Sequence, residues 1–395
     1  MTGMPDYSFG ITVSVMDCTG CGACIENCPG KMGKKALEYS PLAKERERKK
    51  QDYFAYGQVL SPKEEVLEKF PETTVKGSQF KKPLLEFSGA CPGCGETPYA
   101  KLVTQLFGER MVVANATGCS SIWGGSVPSA PYTVSREGKG PAWASSLFED
   151  NAEFGYGITM AEDILRKEGD DKISHWIFGG DGWAYDIGFG GLDHVAASGM
   201  DINILIFDTE VYSNTGGQQS KATPFGATAK FSLEGKRKKK KDLAMMLMQY
   251  ENIYIAQVAQ GADRQHCIKV LLEAESYPGP SIIIAYAPCI SHGIMGGMSN
   301  AQATERLAVD TGYFHLFRYD PRRLEEGKGP FVLDSKKPKE SYEEFVKREL
   351  RFKKMTEKNA EAAKEYLEEA ARYAEVKYER LKLLEKLMNL EVEEK

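Results

Sequence analysis

The run Ser174-His-Trp-Ile-Phe-Gly-Gly-Asp-Gly182 joins a short apolar strand to an aspartate flanked by glycines. The pattern returns at Ile202-Asn-Ile-Leu-Ile-Phe207, which leads into the polar stretch Asp208-Thr-Glu-Val-Tyr-Ser-Asn214. Outward from this pair lie Met111-Val-Val-Ala114, Ile253-Tyr-Ile-Ala256 and Ser281-Ile-Ile-Ile-Ala-Tyr286. Helical patterns separate them at 96–107, 151–167, 186–198, 241–250, 262–276 and 299–310. Strands that are apolar at nearly every position, with helices between them, are buried on both faces. The spacing therefore predicts an α/β fold, a doubly wound and mostly parallel sheet, over residues 86–330.

The flanks read differently. Residues 1–42 form a small unit: a strand-like segment over 8–15, a cysteine run, and a short return strand over 35–39. Residues 43–85 read as a connector, charged, exposed and compatible with a helix over 43–52, and extended over another surface from 53 to 85. Residues 331–395 read as a helical tail, with an amphipathic helix over 340–392. The basic run Lys236-Arg-Lys-Lys-Lys-Lys241 reads as a solvated loop before a helix rather than a docking patch.

Bulk properties exclude several classes. A net charge of −5 is too mild, and of the wrong sign, for a dedicated nucleic-acid binder. No apolar run reaches the roughly 18 residues that span a bilayer. The stretch Met1–Gly10 lacks the basic and apolar regions of a signal peptide, so a cytoplasmic protein is expected. In that setting nine cysteines read as metal ligands rather than a disulfide framework.

Four of the cysteines are local. Cys18, Cys21, Cys24 and Cys28 stand as Cys-x2-Cys-x2-Cys-x3-Cys-Pro, the bacterial ferredoxin run for a [4Fe–4S] cluster. Gly20, Gly22 and Ala23 are small enough for the backbone to curl around a cubane and aim N–H groups at its sulfurs. A zinc site more commonly uses two separated pairs. In two-cluster ferredoxins the fourth cysteine of such a run serves the other cluster. The spacing leaves open whether Cys28 completes this cluster or another one.

The Gly-Asp-Gly at one strand end, with a polar loop after the next strand, is the known thiamine diphosphate signature. Asp181 offers a hard oxygen at the carboxyl end of a strand, where open sheets place ligands. About 28 residues on, the second loop offers a side-chain oxygen and a backbone carbonyl. Mg²⁺ prefers six oxygens and bridges phosphates. Gly180 and Gly182 let a diphosphate approach the backbone. The commonest form of the signature has Asn at the second ligand; here Thr209 stands near that spacing, with a hydroxyl that can serve. A lone Gly-Asp-Gly is more often a turn than a site, so the strand, the spacing and the second loop carry the reading together.

The remaining cysteines are dispersed. Cys91-Pro-Gly-Cys94 looks like half of a zinc ribbon. Cys119 and Cys289 have no cysteine close by in sequence, and each alone reads as a buried thiol. Their surroundings carry a resemblance, however. Phe87–Pro98, Ala116–Gly125, Ser146–Gly155, Gly179–Gly188 and Asp208–Gly217 closely resemble pyruvate:ferredoxin (flavodoxin) oxidoreductase. The resemblance runs from about residue 8 to beyond 340. It corresponds to the C-terminal third of the single-chain enzyme: the second half of its ferredoxin domain plus its C-terminal thiamine diphosphate-binding domain.

That resemblance implies roles. Cys91, Cys94, Cys119 and Cys289 match the ligands of a proximal [4Fe–4S] cluster. Asp181 and Thr209 match side-chain ligands of Mg²⁺, and Val211 a carbonyl ligand. Asn214 matches a catalytic residue near the reactive end of the cofactor, and Cys267 matches no ligand. The implied activity is oxidative decarboxylation of pyruvate with coenzyme A, electrons passing to ferredoxin or flavodoxin. The family's complete enzyme is expected to be a homo-oligomer. Its cofactor-activating glutamate lies on an N-terminal domain without counterpart here, so a partner subunit or parent chain is expected to supply it. The alternatives are another 2-oxoacid as substrate, a non-catalytic iron–sulfur electron-transfer protein, and a zinc-stabilised scaffold.

Overall fold

The computed structural model describes residues 3–393 apart from 31, 62, 126–128, 168–171 and 354–359. Its strands are β1 (Met111–Asn115), β2 (Ala142–Ser145), β3 (Ser174–Gly180), β4 (Ile202–Asp208), β5 (Tyr254–Val258), β6 (Pro280–Tyr286), β7 (Phe317–Tyr319) and β8 (Phe331–Leu333). They form one sheet in the order β2-β1-β3-β4-β6-β5-β7-β8. The first six run parallel, whereas β7 and β8 pair antiparallel.

The apolar strands explain this sheet. Successive side chains of a strand point to opposite faces. Along β4, Leu205 and Phe207 enter one apolar layer, while Ile202, Ile204 and Ile206 enter the other. Trp176 and Phe178 oppose Ile177 in β3, and Ile283 and Ala285 oppose Ile282 and Ile284 in β6. Helices Thr97–Phe107 and Arg264–Ser276 cover the first layer. Phe189–Ala197, Leu243–Leu247 and the long helix Ala360–Glu393 add Leu192, Leu247 and Leu381 to the second. Full burial of each large aliphatic or aromatic side chain contributes on the order of 2 kcal/mol. The fold is α/β with a doubly wound, mostly parallel sheet, as the strand pattern predicts.

The central helices begin and end within a few residues of their expected limits. Asp263 accepts a hydrogen bond from the His266 amide, 2.8 Å, and so fixes the start of Arg264–Ser276. The expected helix over 186–198 starts later, at Phe189, because a wide π-type turn over Gly182–Ile187 precedes it. The tail is divided into Tyr342–Val346 and Ala360–Glu393, and its 354–359 portion lies outside the described residues.

Three expectations fail wholly or in part. Residues 8–15 and 35–39 form no strand. A two-stranded ribbon is marginal by itself, and Phe9, Ile11 and Val13 are exposed. The stretch 53–85 is not extended: the helix Lys50–Gln58 runs into it and Glu64–Lys69 and Val75–Ser78 follow, while Leu42–Glu47 makes 43–52 helical as that segment allows. It does lie over the domain: Gln265 Oε1 accepts from the Val75 amide at 3.2 Å, and its Nε2 donates to Thr73 O at 2.9 Å. Lys236–Lys241 is solvated only in part: Arg237, Lys238 and Lys239 are exposed ahead of the helix Leu243–Leu247, but the other three lysines have inward partners. Lys236 is buried and donates to the carbonyls of Ser220, Lys221 and Thr223. Lys240 pairs with Asp208 and Glu210, and Lys241 donates to Tyr185 O.

Candidate active site

In a parallel sheet the carboxyl ends of all strands share one edge, and ligands bind just beyond it. Neighbouring strands β1, β3, β4 and β6 lead there into Cys119, Asp181, Thr209 and Cys289 respectively. Residues far apart in sequence thus meet over four adjacent strand ends.

The oxygen donors gather first. Asp181 is buried; its Oδ1 lies 2.9 Å from Thr209 Oγ1 and its Oδ2 accepts from Ser220 Oγ at 2.5 Å. Thr209 Oγ1 is also 3.2 Å from Val211 O. A carboxylate, a hydroxyl and a carbonyl therefore face one another, the hard-oxygen set that Mg²⁺ takes. Burial, and then the nearby Asp208 charge, pushes the Asp181 carboxyl up to about 8, against the hydrogen bonds from Ser220 and Thr209. A bound cation supplies the charge such a carboxylate lacks. A Cβ on Gly180 would meet no atom within 4 Å, so the end of β3 is open beside these oxygens. Gly182 differs: a Cβ there would come within 2.7 Å of Tyr212 and 2.9 Å of Phe148, so packing demands that glycine.

The dispersed thiols gather beside them. Gly95 N donates to Pro288 O at 3.1 Å, tying the Cys91–Cys94 turn to the segment that holds Cys289. Gly95 has no room for a Cβ, which would lie 2.6 Å from Pro288 N. Burial pushes the Cys94, Cys119 and Cys289 thiols up, and each also feels the charge of other members of the set. Cys94 Sγ accepts from the Glu96 amide and Cys289 Sγ from the Ser291 amide, both at 3.4 Å. Among the described residues no three His, Cys, Asp or Glu converge closely enough to hold a single ion.

Two residues join the thiol and oxygen groups. Ser213 Oγ lies 3.2 Å from Cys119 Sγ and 3.4 Å from Thr209 Oγ1. His292 takes the Cys289 amide on Nδ1 at 3.4 Å, which leaves Nε2 to donate to Thr209 O at 2.7 Å. Neither was singled out from sequence. Ser213 sits inside the quoted loop and His292 three residues after Cys289, but neither position bears a motif. Asn214 lies exposed at the tip of the turn closed by the Tyr212 N to Gln218 O bond of 2.9 Å.

The local cysteines surround the start of helix Ala23–Glu26. Burial raises the Cys24 thiol, with Cys21 and Cys18 adding to it. Cys28 Sγ instead accepts from the Ala36 amide at 3.2 Å, which holds its thiol below the usual range. The turn Met298–Asn300 packs between the two sets: a Cβ on Gly93 would meet Met298 O at 2.6 Å, and one on Gly22 would meet Ser299 Cβ at 3.5 Å. Cys267 stands apart, fully buried in the core.

Residues 116–285, which hold Cys119 and all the oxygen donors, match the family described as thiamine pyrophosphate enzyme, C-terminal TPP binding domain. The chain is 47% identical to the pyruvate-flavodoxin oxidoreductase of Klebsiella pneumoniae over 96% of its own length and 37% of that protein's. It is 47% identical to the pyruvate:ferredoxin oxidoreductase of Moorella thermoacetica over 95% of its length and 37% of that one's. The chain is homologous to the C-terminal region of the pyruvate:ferredoxin and pyruvate-flavodoxin oxidoreductases. It spans little more than a third of these oxidoreductases. Another relative is named pyruvate dehydrogenase [NADP(+)], mitochondrial, from Euglena gracilis, 44% identical over 90% of this chain and 23% of that one. Among solved structures, a 2-oxoglutarate:ferredoxin oxidoreductase from Magnetococcus marinus is similar over 52% of this chain and 65% of its own, with a TM-score of 0.43 and 18% identity. Among the described residues no helix is long and apolar enough to cross a membrane.

Proposed function

We propose that this chain is the thiamine diphosphate-binding and iron–sulfur part of a pyruvate:ferredoxin or pyruvate:flavodoxin oxidoreductase. The enzyme converts pyruvate and coenzyme A to acetyl-CoA and CO₂ and delivers electrons to ferredoxin or flavodoxin. The observation that carries this reading is Ser213, whose hydroxyl touches both a cysteine of the thiol set and the threonine of the oxygen set. Few chemistries need a thiolate-held centre one side chain away from a Mg²⁺–diphosphate site. Oxidative decarboxylation is one: thiamine diphosphate supplies the electron sink, and [4Fe–4S] clusters supply one-electron acceptors at low potential.

In this reading Asp181, Thr209 and the Val211 carbonyl hold Mg²⁺, and the open end of β3 at Gly180 receives the diphosphate. Cys91, Cys94, Cys119 and Cys289 hold the proximal cluster. Cys18, Cys21 and Cys24 hold a ferredoxin-type cluster, with Cys28 turned toward Ala36. The Met298–Asn300 turn, which packs against both sets, is in this reading the link for electrons passing between them. Ser213 orients Cys119, and His292 fixes the Thr209 carbonyl. Asn214, at the exposed loop tip, meets substrate once further domains close over this edge. Those domains, in a partner subunit or parent chain, supply the glutamate that activates the cofactor.

Anaerobic purification of the chain tests this directly. Iron and acid-labile sulfide are expected in equal amounts, with thiamine diphosphate binding that depends on Mg²⁺. Asp181→Ala should abolish that binding and leave iron unchanged. Zinc in place of iron, or cofactor binding indifferent to Mg²⁺, would reject the reading.

A further inference from the structure

Glu210 stands between Thr209 and Val211, the two loop residues assigned to the metal, and has a left-handed backbone with φ of 60°. Such a conformation in a residue other than glycine persists only where its surroundings over-determine it. Here they do. The Glu210 side chain is buried, and its Oε2 accepts from Arg351 Nη2 at 2.7 Å and from Tyr313 OH at 2.5 Å. Its Oε1 accepts from Lys240 Nζ at 2.9 Å. Its own carbonyl accepts from Thr223 Oγ1 at 2.6 Å.

The Thr209 end of the unit is held separately, by His292 Nε2 donating to Thr209 O. Arg351 turns its Nε to Glu349 Oε2 at 2.7 Å, so its guanidinium is itself fixed between two carboxylates. Arg351, beyond β8, thus grips the Glu210 side chain. The segment is anchored in turn: Thr228 donates to Arg351 O through its amide at 2.8 Å and its hydroxyl at 2.7 Å, and the Leu350 amide donates to Gly293 O at 3.0 Å.

We propose that Arg351, acting through Glu210, is a positioning residue that holds Thr209 Oγ1 and the Val211 carbonyl aimed at one point, and so sets how tightly the loop takes a divalent cation with a diphosphate. The inference rests on the assignment of Asp181, Thr209 and Val211 to that cation. The guanidinium suits the task because its rigid planar fork fixes the directions in which it meets Glu210 and Glu349, whereas a lysine ammonium is a point charge on a flexible stem. A purely structural ion pair would affect folding alone; a positioning residue affects metal affinity in a protein that still folds.

The test is titration of the full, iron-loaded chain with Mn²⁺ in the presence of thiamine diphosphate, read by the electron paramagnetic resonance of free Mn²⁺, with thermal unfolding and iron content measured alongside. Arg351→Lys keeps the charge and is expected to fold and to weaken Mn²⁺ binding severalfold. Arg351→Met is expected to weaken it tenfold or more. Glu210→Gln combined with Arg351→Met leaves neither buried charge of that pair, so stability should recover relative to Arg351→Met while binding stays weak. Wild-type affinity in Arg351→Lys or in the double variant would overturn the positioning role and leave the metal assignment standing. Absence of Mn²⁺ binding to the wild-type chain would overturn both.

Discussion

Ser213 Oγ lies 3.2 Å from Cys119 Sγ. With a metal-bound thiolate as the acceptor, the serine must donate, and hydrogen bonds to the sulfurs help set a cluster's potential. Such a bond stabilises the more negative, reduced state. Ser213→Ala should therefore keep its iron and lower the midpoint potential of the proximal cluster. At about 1 kcal/mol per hydrogen bond the shift is about 40 mV for one electron. A redox titration followed by electron paramagnetic resonance measures it, and an unchanged midpoint would show that Ser213 does not donate to a cluster ligand.

Cys289 and Cys267 offer a paired test of the thiol assignment. Pro288 ties the Cys289 segment to the Cys91–Cys94 turn through the Gly95 amide, whereas Cys267 is buried among apolar side chains. Cys289→Ala should lose the iron of one cluster and retain that of the local set. Cys267→Ala should retain all of it. Equal iron in both variants would mean that the dispersed set is misassigned.

Arg318 on β7 holds the antiparallel edge of the sheet to the rest. Its Nε and Nη2 meet the two oxygens of Asp334 at 2.9 and 2.8 Å, and its Nη1 meets Glu273 Oε1 at 2.8 Å. Arg318→Met leaves two largely buried carboxylates without their cation, a loss of about 3–5 kcal/mol. Burial alone would raise the Asp334 carboxyl, but hydrogen bonds from His266 and Arg318 hold it at about 2. Its folded value lies below its unfolded one, so its stabilisation is complete above pH 4 and lost as the pH falls through about 2. Denaturant unfolding at pH 7 should give the full difference between wild type and variant. A difference below about 1 kcal/mol would mean that the bridge is a surface-like pair.

Much of this architecture was legible along the chain because β3, β4 and β6 are apolar at nearly every position, a pattern only a doubly covered strand requires. Asp181 and Thr209 were legible because they follow those strands directly. Strands of three residues such as β7 and β8 are too short to carry a period. Residues 8–15 mislead for the opposite reason: Phe9, Ile11 and Val13 alternate as a strand would, yet they are 62%, 67% and 55% exposed. The Lys236–Lys241 run looked solvated because sequence does not reveal that Asp208, Glu210 and three carbonyls await those ammonium groups. The same holds for His292 and Arg351, whose partners lie 83 and 141 residues away.

Glu305 gives a pH test at a residue outside the assigned ligand sets. It is fully buried; its Oε2 lies 2.7 Å from the Gly261 amide and 3.1 Å from Tyr99 OH. Tyr99 OH has one hydrogen and is also 2.8 Å from Tyr286 O. A protonated Glu305 resolves the competition: it donates to the Tyr99 oxygen, and Tyr99 donates to Tyr286. Burial pushes the Glu305 carboxyl up to about 8, although the Gly261 amide and Tyr99 pull it down. An unfolded Glu titrates near 4.3. Between these values the folded state holds a proton that the unfolded state lacks, so stability falls as the pH rises. Glu305→Gln removes the titration and can keep its amide oxygen toward the Gly261 amide. The wild type should therefore lose stability relative to Glu305→Gln from about pH 5 to pH 8, with a slope approaching 1.4 kcal/mol per pH unit. Urea unfolding of both proteins at pH 5, 6.5 and 8 measures the gap, and a gap that does not change with pH would mean that Glu305 is ionised throughout and that Tyr99 donates to it rather than to Tyr286.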